Sequence, residues 1–165
     1  MNETHQTHEF GPVYDENSRI LILGSFPSVK SREVQFYYGH PKNRFWKLLS
    51  MLYGVDVLED ISQKKQFLLE HGIALWDVIA SCDITGSSDS SIRNVVPNDI
   101  SRILNAANIE RIYANGKTAE KLYRKYVQPV TGHEIIGLPS TSPANAAFSL
   151  ERLAEAWQEV GRKDR

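Results

Sequence analysis

Three short apolar runs that each open into a polar loop constrain this chain most. "RILILGS" (Arg19–Ser25), "ERIYANG" (Glu110–Gly116) and the start of "HEIIGLPSTSPAN" (His133–Asn145) read as buried strands feeding loops. "IALWDVI" (Ile73–Ile79) reads as a further strand running into a short helical turn. Helical patterns lie between them. "NRFWKLLSMLYG" (Asn43–Gly54) has Phe45, Trp46, Leu48, Leu49 and Leu52 at helical spacing and Gly near its end. Asp60–Gly72 follows, with Asp60 as N-cap, then Pro97–Asn108, Lys117–Val127 and Ser149–Val160. Cys82–Asn94 is polar and loop-like. Strands alternating with helices predict a parallel sheet with helices on both faces: one three-layer α/β/α domain over residues 1–165. The ends, about 1–9 and 161–165, read as poorly ordered tails. Ligands of such folds bind at the carboxyl ends of the strands. The loops Gly24–Ser31, Ala114–Thr118 and Leu138–Asn145 should therefore meet on one edge.

Composition narrows the function classes. No run of eighteen apolar residues exists to span a membrane. The polar start lacks the apolar core of a secretory signal. One cysteine, Cys82, excludes a disulfide or a four-cysteine metal site within one chain. The expectation is a cytoplasmic, metal-free protein. A net charge of −1 argues against a strong non-specific grip on DNA, which needs many Lys and Arg on phosphates. It leaves room for a few phosphate contacts through backbone N–H groups.

Four segments carry chemistry. "GSFPSVKS" leaves a strand through Gly and Pro and exposes N–H groups and hydroxyls to a polar or anionic ligand; it equally suits a tight turn. "LPSTSPAN" sets Ser140, Thr141 and Ser142 between Pro139 and Pro143, either to grip a phosphate or as a rigid turn. Gly116 and Lys117 in "ANGKT" most simply turn a strand into a helix. "YYGHPKNRFW" (Tyr37–Trp46) is harder to read as core. Phe36, Tyr37 and Tyr38 cannot all face one core, so at least one should line a cleft, where an aromatic face can stack on a base. Asn43 suits an N-cap, a ligand contact, or both. His40, beside Pro41, suits a structural hydrogen bond. Asp77 in "LWDVI" reads as the cap of a turn.

Taken together, "RILILGSFPS", "YYGHPKNRFW", "ALWDVIASC", "SDSSI", "ANG" and "LPSTSPANA" resemble the uracil-DNA glycosylase superfamily, and most narrowly its hypoxanthine-DNA glycosylase branch. The likeness runs from about Phe10 to Trp157. "HPKNRFW" is also similar to a segment of the mismatch-specific uracil/thymine glycosylases. The resemblance implies a parallel four-stranded central sheet. It implies a monomeric, monofunctional DNA glycosylase of base excision repair, without metal or other cofactor. Its activity would lie on two loops, matching Gly24–Ser28 and Leu138–Asn145. Where the mismatch enzymes carry a water-positioning Asn in the first loop, this chain has Phe26, and no acid lies between Gly24 and Ser31. The resemblance therefore points to Asn43 as the residue that orients water. It implies Tyr38 as the stacking aromatic, Phe26 and Pro27 as an apolar wall, and His40 and Asp89 as base contacts or supports. Ser25, Ser28, Ser140, Thr141 and Ser142 would touch the DNA backbone, and small Ala144 stands at the wedge position.

Rival readings are excision of uracil or mismatched bases and a non-catalytic nucleic-acid or nucleotide binder. A serine hydrolase using Ser25 is a further rival, but "GSFPS" does not form the G-x-S-x-G elbow.

Overall fold

A computed structural model describes residues 3–56 and 58–161. Its centre is β2 (Ile20–Gly24), buried at every position. A strand covered on both faces needs an unbroken apolar run rather than alternation, and "ILIL" supplies it. Strand β3 (Ile73–Asp77) pairs parallel on one side of β2, β6 (Arg111–Asn115) on the other, and β7 (Ile136–Leu138) adds beyond β6. The order β3-β2-β6-β7 is the expected parallel four-stranded sheet. Register aligns its carboxyl edge: Gly24 lies opposite Asp77, Leu23 opposite Ala114, and Asn115 opposite Leu138.

Local chemistry sets the helices that cover the sheet. Helix α1 (Val29–Val34) starts at Ser28, whose side chain accepts from the Ser31 N–H. Helix α2 (Phe45–Tyr53) turns Phe45, Trp46, Leu48 and Leu49 inward and ends at Gly54. Helix α3 (Ile61–Glu70) opens with a full capping box between Asp60 and Gln63, a device that stabilises a helix start by about 1 kcal/mol. Helices α4 (Ser101–Ala106), α5 (Lys117–Tyr126), α6 (Gln128–Thr131) and α7 (Leu150–Ala156) complete the set, with Ser149 capping the last. Gly116 caps α5 at φ 99°, and a Cβ there would lie 3.1 Å from the Ser140 Cβ. Glycine thus makes the turn and also lets the second loop approach.

The structure adds a second sheet that the sequence did not reveal. Strand β1 (Thr4–Thr7), β4 (Ile79–Ile84) and β5 (Arg93–Pro97) form an antiparallel sheet in the order β1-β4-β5. Three expectations are corrected. The segment after Asp77 is a strand, not a helical turn. Cys82–Asn94 is not all loop: it holds the end of β4, a 3₁₀ turn at Asp89–Ser91 and the start of β5. Residues 3–9 are not a free tail, because Thr4–Thr7 pair with Ser81–Ile84, while residues 1 and 2 lie outside the described residues. At the other end, a 3₁₀ turn runs to Gly161, and 162–165 lie outside the described residues. Mixed polarity in "IASCDI" and "THQT" hid the strands, since only tertiary pairing satisfies their backbones.

The two sheets join at Val78. Its N–H donates to the Gly24 carbonyl, and the Asn98 side chain bridges the carbonyls of Asp77 and Ile79. This junction lies at the carboxyl edge of the parallel sheet.

Candidate active site

A cavity of about 340 Å³ opens at that edge. Gly24, Ser25, Phe26, Pro27 and Ser28 form one side, and Ser140, Thr141, Ser142, Pro143 and Ala144 another. Tyr37, Tyr38, His40 and Asn43 line it from the segment before α2, and Asp77 and Asn115 from the strand ends. The volume falls within the range of small-molecule sites, roughly 300–1,000 Å³.

Asn43 is held by its oxygen. Oδ1 accepts from the Phe45 N–H at 3.0 Å and from the Thr141 hydroxyl at 2.8 Å. The backbone donor fixes which end of the amide is oxygen. Nδ2 donates to no described residue, so the amide presents free N–H groups at a position lining the cavity. The helix begins two residues later, so Asn43 supports its start by an Asx-type bond from just outside it.

Thr141 corrects one expectation. It was expected to touch the DNA backbone, yet it is 0% exposed. Its N–H donates to Asn115 Oδ1, its hydroxyl accepts from Asn115 Nδ2, and its carbonyl accepts from the Arg44 N–H. Thr141 therefore ties the second loop to β6 and to the Asn43 segment. The Arg44 guanidinium adds bonds to the carbonyls of Ser142, Asn145 and Phe148, which locks the loop from the other side.

The other serines are partly engaged within the protein. Ser28 caps α1, and its hydroxyl donates to Ser31, so its expected contact with DNA competes with a structural bond. Ser140 Oγ accepts from the Ser142 N–H, and Ser142 Oγ from the Ala144 N–H; these tight turns shape the loop tip, where Ala144 is exposed. Ser25 donates to Asp89 at 3.1 Å. Although Asp89 is exposed as a residue, its carboxyl faces the cavity wall. Desolvation raises its pKa, opposed by hydrogen bonds from Ser25 and Thr118.

The aromatic trio divides. Phe36 and Tyr37 are buried, and the Tyr37 hydroxyl donates to the Gly11 carbonyl. Tyr38 is half-buried, has φ 53°, and stacks on Phe45 with ring centroids 4.1 Å apart. One ring face is thus taken by Phe45. Its hydroxyl is buried and makes no well-formed hydrogen bond among the described residues. Burial, then the neighbouring Asp77, hold the Tyr38 phenol protonated far above its usual range, and Asn115 offsets this in part. Phe26 is buried over Ile79, Cys82 and Ile84, with the Arg32 guanidinium 5.7 Å from its ring centroid. His40 makes the local bond expected of it: Nδ1 accepts from the Lys42 N–H.

Sequence reasoning missed Asp77, Asn115 and His8. Asp77 does not cap a turn. It is buried, lines the cavity, and pairs through Oδ2 with His8 Nε2 at 2.8 Å. Its place as the last residue of a strand, level with Gly24, was the available signal. Asn115 has the same signal at the end of β6. Nothing in sequence spacing joins His8 to Asp77. Among the described residues, no group of three or more His, Cys, Asp or Glu is placed to hold a metal ion, and no helix is long and apolar enough to cross a membrane.

With this geometry in view, comparison with known proteins is specific. A family model described as the uracil DNA glycosylase superfamily matches residues 12–161. The chain belongs to that superfamily. It is 39% identical over 155 residues to a hypoxanthine DNA glycosylase of Methanosarcina acetivorans, covering 93% of this chain and 96% of that protein. It is 36% identical over 154 residues to a hypoxanthine DNA glycosylase of Methanosarcina barkeri, covering 92% and 95%. The solution NMR structure of a protein from M. acetivorans, described as a candidate uracil DNA glycosylase, superposes with a TM-score of 0.79 at 38% identity, covering 93% of this chain and 94% of that one. The superfamily assignment agrees with the fold and with the resemblance carried by the sequence motifs. The family model begins after His8.

Proposed function

We propose that this chain is a monofunctional DNA glycosylase that hydrolyses the N-glycosidic bond of deoxyinosine, releasing hypoxanthine for base excision repair. The observation that carries the reading is the Asn43 amide, tied by Thr141 and Phe45 into the wall of a base-sized cavity, in a superfamily member whose relatives are named hypoxanthine DNA glycosylases.

A base inside the duplex cannot reach such a cavity, so the nucleotide turns out of the stack or arrives single-stranded. The C1′–N bond breaks with its electron pair going to the base, leaving positive charge on the sugar, and water attacks C1′. The water's oxygen stays on C1′ and one of its protons ends on the departing base, so the products are free hypoxanthine and an abasic sugar. DNA phosphates stabilise the sugar cation. Asn43 holds the water through its free N–H groups, leaving the water's second lone pair for C1′. Tyr38 offers its uncovered face to the base, Phe26 and Pro27 wall the cavity, and His40 and Asp89 support its rim. Ser25, Ser140 and Ser142 meet the DNA backbone, and Ala144 stands at the wedge position. A single chain supplies every one of these groups, which suits a monomer.

The test uses labelled oligonucleotides with one deoxyinosine, deoxyuridine, deoxyxanthosine or mismatched thymidine, single- and double-stranded, followed by hot alkali. Cleavage at deoxyinosine is expected. Cleavage at deoxyuridine alone would keep the superfamily chemistry and move the substrate to uracil. A folded protein that cleaves none of them would point to a binding module.

A further inference from the structure

The mechanism so far leaves one buried polar pair unused. His8 follows β1, and its N–H donates to the Ala80 carbonyl. The side chains of His8 and Asp77 are 2% and 4% exposed. Phe10, Tyr37 and Phe26 surround the imidazole, at 4.6, 5.9 and 6.1 Å between ring centroids. Among the described residues Nδ1 is buried without a partner, and the ring's polar engagement there is Nε2 to Asp77 Oδ2. Burying such a pair costs desolvation that two apolar side chains would avoid. Its location gives it a use. Asp77 Oδ1 accepts no hydrogen bond from any described residue, although Asp77 lines the cavity. Gly24 keeps that oxygen uncovered, since a Cβ there would lie 2.5 Å from it.

We propose that His8, which lies ahead of the family-matched region, is a positioning residue: it anchors Asp77 by one carboxyl oxygen so that the other reads the N–H edge of a deaminated base. The inference rests on the proposed function and deepens it. Hypoxanthine carries N1–H beside a carbonyl, as uracil carries N3–H. Adenine and cytosine present an unprotonated ring nitrogen at the same place. An acceptor oxygen is satisfied by the N–H and faces a lone pair in the undamaged base, which leaves a buried group unpaired and disfavours it. The pair therefore separates deaminated bases from adenine and cytosine, and leaves rejection of guanine to the shape of the cavity. The N-terminal strand becomes part of the active site, because it fixes where His8 stands.

The experiment compares single-turnover cleavage by wild type, His8→Leu, His8→Gln and Asp77→Asn, with thermal unfolding and binding to undamaged DNA measured alongside. His8→Leu should lower deoxyinosine cleavage by roughly tenfold or more, the effect of losing one hydrogen bond to a polar buried group, without weakening binding to undamaged DNA. His8→Gln, whose amide N–H can reach toward the same oxygen, should recover much of the rate. Asp77→Asn, which can offer an N–H, should shift inhibition by free bases from hypoxanthine toward adenine. A folded His8→Leu variant with the wild-type rate would overturn the inference. If His8→Leu does not fold, Asp77→Asn decides: unchanged cleavage and unchanged inhibition by the free bases would overturn it. If wild type cleaves deoxyuridine but not deoxyinosine, the proposed substrate fails while the same variants on deoxyuridine still test the pair. If wild type cleaves neither, the functional reading fails and the inference with it.

Discussion

Thr141 Oγ1 donates to Asn43 Oδ1 at 2.8 Å across a separation of 98 residues. This bond joins the loop after β7 to the segment before α2. It also decides which atoms of Asn43 are free, because with the Phe45 N–H it occupies the amide oxygen.

Asn43→Ala should reduce single-turnover cleavage of deoxyinosine by about 10²–10³-fold, the scale seen when one preorganised donor is lost. Asn43→Asp keeps an acceptor for Phe45 and Thr141 but has no N–H groups. It should be nearly as inactive and better folded. An alanine variant within a few-fold of wild type would sink the water-orienting role.

Thr141→Val keeps the volume and removes the hydroxyl between Asn43 and Asn115. Leaving those partly buried partners unmatched should cost about 1 kcal/mol or more in denaturant unfolding and lower cleavage as well. Thr141→Ser should recover both. Loss of activity without loss of stability would instead argue that Thr141 touches DNA.

Gly24→Ala places a methyl 2.5 Å from Asp77 Oδ1 and 3.0 Å from the Tyr38 hydroxyl. Overpacking of this kind typically costs about 1–3 kcal/mol. Cleavage should fall by more than the folded fraction falls, because the methyl enters the cavity. Equal losses in unfolding and kinetic assays would show the effect to be structural alone.

Asp89 gives a pH signature. Its folded-state pKa is raised, mainly by desolvation, so the folded protein binds that proton more tightly than the unfolded chain. The stability it contributes is present below the unfolded pKa and is lost as pH rises through the folded one. The melting temperature of wild type relative to Asp89→Asn should therefore drop with rising pH across the acidic range and then level off. A difference that grows in favour of wild type would refute the assignment.

Cys82 is fully buried beneath Phe26, and burial pushes its thiol up to about 11. The thiolate is the reactive form, so alkylation of the native protein near neutral pH should be slow. Phe26→Ala should speed it by uncovering the sulfur. Fast labelling of wild type would mean that the first loop opens readily.

The sequence by itself determined the parallel sheet, five of the seven helices among the described residues (α1 and α6 were not legible) and the loops that meet at the sheet's carboxyl edge. Those features arise from local causes. "ILIL" must be buried on both faces, Asp60 and Ser149 satisfy free N–H groups at helix starts, and Gly54 ends a helix. The motifs also named the segment holding Asn43 and the loop holding Thr141. Tertiary structure alone decided how those side chains are used. Thr141 looks like a surface hydroxyl in "LPSTSPAN", and becomes buried because Asn115 and Arg44 satisfy its polar atoms. The second sheet was illegible for the same reason. "THQT" and "IASCDI" have no strong period, and their pairing depends on a partner about eighty residues away. That pairing carries His8 to Asp77, a contact that no local spacing encodes, since a buried polar pair exists only where distant chain segments exclude water together.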